Sequence, residues 1–131
     1  RNQLIVWALK KYAPAMANYF EIGCGTGFVL QAISEAFPSA TISACEAYSR
    51  GLVQAQRRSN RATLYQMDAT RLPFVNEFDV IGIFDVLEHV QQDNAVIASA
   101  AAALAPRGVL LITVPQHPWL WSEVDDYSCH Y

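Results

Sequence analysis

Three glycines stand at alternate positions in Gly23-Cys24-Gly25-Thr26-Gly27, and Glu21 lies two residues ahead of them. Glycine tolerates positive φ and lets backbone approach a ligand closely. A helix that starts at such a loop presents free N–H groups and a partial positive charge. Acidic residues then recur at Glu46, at Asp68, and in Asp85-Val86-Leu87-Glu88-His89-Val90. A carboxylate at 46 can accept hydrogen bonds from both hydroxyls of a ribose. One at 68 can accept from the amino group of an adenine, with the Ala69 N–H facing a ring nitrogen. Each feature also has a plainer reading: a tight turn for the glycines, an exposed loop acid for Glu46, a turn-capping Asp68 and a capped turn at 85–90. A dinucleotide fingerprint would require glycine at position 28, where Phe28 stands.

These residues need elements to place them. Leu4, Ile5, Ala8, Leu9 and Tyr12 share one face at helical spacing, and Pro14 follows. Tyr19–Ile22 reads as a buried parallel strand entering the glycine loop. Val29, Leu30, Ile33, Ala36 and Phe37 predict a helix closed by Pro38. Thr41–Cys45 predicts a strand, and Ser49 is placed to cap a helix carrying Leu52, Val53 and Gln56. Ala62–Met67 and Phe78–Phe84 follow as strands. Asp93 is placed to cap a helix over Asn94–Ala105, and Pro106-Arg107-Gly108 turns the chain into a strand over Val109–Val114. Alternating strands and helices predict a doubly wound, Rossmann-like α/β fold: a mostly parallel sheet with helices on both faces. Ligands of such sheets bind beyond the C-terminal strand ends, near the switch point. The glycine loop, Glu46, Asp68 and Asp85 all follow expected strands.

The chain's 131 residues suit one domain over 1–131, and 53% hydrophobic content supplies a sizeable core. No apolar run reaches the ~18 residues that span a bilayer. The net charge of −3 divides unevenly: residues 1–67 carry +4 and residues 68–131 carry −7. Arg50, Arg57, Arg58 and Arg61 form one basic patch, read as a solvated helix face rather than a nucleic-acid footprint. Cys24, Cys45 and Cys129 are widely spaced, which fits a reducing cytoplasm. His117, Cys129 and His130 match no common zinc spacing, so no metal is expected.

Glu21–Gly27, Ala44–Ala47, Gln66–Ala69 and Phe78–Val90, with Leu104–Pro115, resemble the class I S-adenosylmethionine-dependent methyltransferases. The nearest group resembles the ubiquinone-biosynthesis methyltransferases. Arg107 departs from the glycine common before Gly108, at a turn. The resemblance implies that Gly23, Cys24 and Gly25 pass along the methionine part of the cofactor, and that Gly27 belongs to the same cofactor-binding loop. It implies that Glu46 holds the ribose, Ala47 and Tyr48 flank the adenine, and Asp68 with Ala69 reads its edge. Phe84 and Asp85 would lie near the amino end, and Glu21 would support the loop. Such folds usually carry seven strands; five are legible here, so the C-terminal strands are expected to be missing.

In that chemistry the acceptor is expected to be a small molecule and no catalytic nucleophile is needed. His89 is a candidate general base, with a packing or helix-end role as the alternative. His117, Trp119 and Trp121 are expected either in the acceptor wall or as cover for the sheet edge. Two rivals remain: an NAD-dependent oxidoreductase, and a methyltransferase-like module that binds without catalysis.

Overall fold

The computed structural model describes residues 1–115. Helix α1 spans Asn2–Tyr12, strand β1 Asn18–Ile22, helix α2 Phe28–Ala36, strand β2 Thr41–Glu46 and helix α3 Ser49–Arg58. Strand β3 spans Thr63–Gln66, strand β4 Phe78–Phe84, helix α4 Asp93–Ala103 and strand β5 Leu104–Thr113. Short 3-10 turns stand at Ala69–Arg71 and Leu87–His89. The strands form one sheet in the order β3-β2-β1-β4-β5, and every pairing is parallel. The expected doubly wound α/β architecture is therefore present.

β1 is central, so water must leave both of its faces. Tyr19, Glu21, Ile42, Ala44 and Val80 turn to the side covered by Ile5 and Leu9 of α1, Leu30 and Ile33 of α2, and Ala55 of α3. Phe20, Ile22, Cys45, Ile81 and Ile83 turn to the other side, under Val96, Ala100 and Ala103 of α4. The small side chains of α4 let it lie close to the sheet. Phe20 stacks on Phe78 at 4.6 Å and meets Phe74 edge-on at 5.2 Å. At the opposite end of β1 from the glycine loop, Asp79 Oδ2 accepts from the N–H groups of Ala17 and Asn18, each at 2.8 Å.

Three local expectations need correction. Ser49 is the first residue of α3 rather than its cap: extended Tyr48 takes the cap position, and no side chain bonds there. Gln92, not Asp93, precedes α4, and Asp93 Oδ1 instead accepts from the adjacent Asn94 N–H at 2.6 Å. Pro106–Gly108 is not a turn ahead of a strand. Pairing with β4 already begins at Leu104 opposite Phe78 and resumes at Val109 opposite Val80. The surplus residues bulge out, with Arg107 at φ +71°.

Candidate functional site

The strand ends at the switch point between β1 and β4 open onto a cavity of about 740 Å³. That size suits a nucleotide-sized ligand. After β1 the chain enters the glycine loop, where Gly23, Gly25 and Gly27 all have positive φ. Gly23 and Cys24 donate to the Cys45 carbonyl at 2.9 and 3.0 Å, which ties the loop to the end of β2. Gly27, at φ +85°, sets the entry to α2, and a Cβ there would lie 2.7 Å from Ala55 Cα.

After β2, Glu46 reaches into the cavity wall. Its Oε2 accepts from the Gly25 N–H at 2.9 Å and its Oε1 from the Tyr48 N–H at 3.0 Å. Each oxygen retains a lone pair for a ligand. Ala47 and Tyr48 form the rim beside it, and Tyr48 is 77% exposed. After β3, Asp68 Oδ1 accepts from the Thr70 N–H at 2.9 Å and opens the Ala69–Arg71 turn. That bond holds its carboxyl below the ordinary carboxylate range. Asp68 therefore caps a turn and also lines the cavity with Ala69.

After β4, Asp85 takes φ +55°, uncommon for a residue with a Cβ. Its N–H donates to the Thr113 carbonyl at 3.0 Å and its Oδ1 accepts from the Thr113 hydroxyl at 2.9 Å. Its Oδ2 pairs with the Arg1 guanidinium. This network joins β4, β5 and the start of α1 at the cavity mouth. Exposed His89, at the end of its 3-10 turn, also lines the cavity.

Gly23, Gly25, Glu46, Ala47, Tyr48, Asp68, Ala69, Asp85 and His89 thus meet at one cavity. Four other expected residues stand behind it. Cys24 and Phe84 are buried in the α1/α2 side of the core, and Gly27 packs on Ala55. Glu21 is 2% exposed and accepts from the Tyr19 hydroxyl at 3.0 Å. Loss of water raises the Glu21 pKa to about 8, against the opposing pull of Tyr19 and Arg1. Burial pushes the Cys24 and Cys45 thiols up to about 12, so both stay protonated at neutral pH. His117, Trp119 and Trp121 lie outside the described residues. Among the described residues no group of His, Cys, Asp and Glu side chains could hold a metal ion.

The apolar lining was missed. Met67, Val90 and Val96 face the cavity, although Val96 reads in the sequence as one more core position of a helix. The strand-end rule points to Met67, which directly precedes Asp68.

A doubly wound sheet with a glycine loop and acids converging at its switch point defines a nucleotide-binding α/β domain. Residues 20–110 match the methyltransferase domain family, so the chain belongs to that family. It is 32% identical over 108 residues to a malonyl-[acyl-carrier protein] O-methyltransferase of Bacillus cereus, covering 79% of this chain and 39% of that protein. It is 30% identical over 105 residues to a trans-aconitate 2-methyltransferase of Variovorax paradoxus, covering 79% of this chain and 40% of that protein. The chain spans between 24% and 40% of the length of the curated relatives it matches. Among solved structures, the amino pentose methyltransferase CalS10 of Micromonospora echinaspora superposes with a TM-score of 0.81 at 23% identity. That match covers 92% of this chain and 52% of CalS10, and it shows the shared fold.

Proposed function

We propose that the chain is the S-adenosylmethionine-binding domain of an enzyme that methylates a small molecule. The observation that carries this reading is the convergence of four strand ends on one cavity. The relatives named above are methyltransferases, and the CalS10 structure is described as bound to the same cofactor. The cavity suits it: two carboxylates, Glu46 and Asp68, flank apolar Met67, Val90 and Val96, which suits a ribose and an adenine.

The cofactor, when bound, supplies a methyl group already activated on a sulfonium. The residues of this chain bind, orient and exclude water. Glu46 holds the ribose, Asp68 and Ala69 read the adenine edge, and the loop from Gly23 to Gly25 supports the amino-acid end. Ala47 and Tyr48 flank the ring. Gly27 and Glu21 act one layer down, by shaping and supporting the loop. Asp85 and the Phe84 carbonyl stand toward the amino end. His89, on the cavity wall, is the proposed base for an acceptor that must lose a proton. Orientation alone supplies several kcal/mol of the barrier.

The acceptor is a small molecule on this reading, with no nucleic-acid partner. No described helix is long and apolar enough to cross a membrane, and the free thiols of Cys24 and Cys45 suit a cytoplasmic protein. Incubation of the protein with methyl-labelled cofactor and metabolite extracts tests the proposal. Label should pass to a small organic product. Label that stays wholly on the cofactor, despite saturating binding, would support a binding module without catalysis.

A further inference from the structure

We infer that α3 is the brace that holds the glycine loop in its binding shape, and that Arg58 is a positioning residue for the cofactor. The inference rests on the methyl-donor reading above. A loop with three glycines has little conformational restriction of its own, so its order must come from outside. Glu46 supplies one hold, through Gly25. The Cys45 carbonyl holds Gly23 and Cys24, and α3 supplies a third hold along one face, at positions 51, 55 and 58, which lie four and three residues apart.

The contacts follow the loop in sequence. A Cβ on Gly51 would stand 2.7 Å from the Gly25 carbonyl oxygen and 3.3 Å from Glu46 Cγ, so α3 can lie here only with glycine at 51. Ala55, fully buried, fills the space that the missing Cβ of Gly27 leaves. Arg58 donates to the Thr26 carbonyl at 2.7 Å, and its guanidinium lies 3.9 Å from the centre of the Phe28 ring. Phe28 is 60% exposed, so its ring adds little to the core and serves chiefly as a platform for Arg58. Arg58 therefore grips the loop on both sides of Gly27. Arg57 carries the same charge one residue earlier but is exposed, and it provides the control.

Calorimetric titration of S-adenosylhomocysteine into the wild type, Arg58→Ala, Arg58→Lys, Gly51→Ala and Arg57→Ala tests the brace. Arg58→Ala and Gly51→Ala should raise Kd about tenfold, a loss of roughly 1.4 kcal/mol. Arg58→Lys should recover most of the affinity, and Arg57→Ala should stay within about twofold of the wild type. Amide hydrogen exchange on the ligand-free protein gives a second reading. In Arg58→Ala the amides of 24–28 should exchange faster while those of β1 and β4 keep their protection. Wild-type affinity in Arg58→Ala, or equal weakening in Arg57→Ala, would overturn the inference. So would faster exchange across the whole sheet, which marks general loss of stability. A wild type that does not bind S-adenosylhomocysteine would instead end the methyl-donor reading, and the exchange pattern would then decide the brace alone.

Discussion

Glu21 is a buried carboxyl group in the middle of a sheet, and the Tyr19 hydroxyl donates to it. Burial raises its pKa from an ordinary 4.5 to about 8. The folded state therefore holds a proton that the unfolded chain has released between those values. Stability from this group is fully present below pH 4.5 and falls as pH rises toward 8, by about 1.4 kcal/mol per pH unit. Glu21→Gln keeps the shape and removes the titration. Urea unfolding at pH 5 and pH 8 should show a decline in the wild type that the variant lacks; equal declines would place the charge elsewhere. Glu46 differs, because backbone N–H groups occupy both of its oxygens. Glu46→Ala removes a charged partner worth about 1.5–3 kcal/mol, so the Kd for S-adenosylhomocysteine should rise at least tenfold. Glu46 and Asp68 were legible as residues that follow strands, whereas Glu21 lies within β1. The dual use of Asp68 was not, since a turn cap and a ligand acid look alike in sequence. The apolar lining was hidden because Val90 and Val96 cannot be told from core by residue type.

At the scale of elements, hydrophobic spacing, β-propensity, caps and turn residues placed each described α-helix and strand, while the boundaries followed hydrogen bonds that these signals do not report. Tyr48 displaced Ser49 from the cap position because its N–H is bound to Glu46 and its backbone stays extended. The bulge after Leu104 depends on pairing with Phe78, a partner far away in sequence. The basic patch was read as a solvated face, yet two of its members are bound to backbone. Arg61 donates to the carbonyls of Ser34, Pro38 and Ala40, and closes the end of α2. Arg58 reaches the glycine loop. Arginine's fork of donors suits such multiple carbonyls, and nothing in composition separates this use from a solvated charge. Gly27 joins loop to helix at φ +85°, against the Ala55 backbone. Gly27→Ala should cost about 1–3 kcal/mol from backbone strain alone, read as a lower urea midpoint, with added loss from the Ala55 clash. An unchanged midpoint would mean that the loop relaxes freely.

For the whole molecule, the strand order β3-β2-β1-β4-β5 switches between β1 and β4, and this brings residues from Ile22 to Val96 around one cavity. The fold was legible because alternating buried strands and helices leave few right-handed arrangements. The acceptor was not legible: Trp119, Trp121 and His117 lie outside the described residues, and the chain spans less than half the length of the curated relatives named above. What distinguishes the two nucleotide readings is the ligand itself. The loop carries Phe28 where a dinucleotide fingerprint has glycine, and Asp68, besides capping the Ala69–Arg71 turn, lines the cavity, where the methyl-donor reading gives it the adenine edge. Parallel calorimetric titrations of S-adenosylhomocysteine and NADH into the wild-type protein test this directly. One-site binding of S-adenosylhomocysteine without measurable heat from NADH is the predicted result. Tight NADH binding with none for S-adenosylhomocysteine would contradict the account.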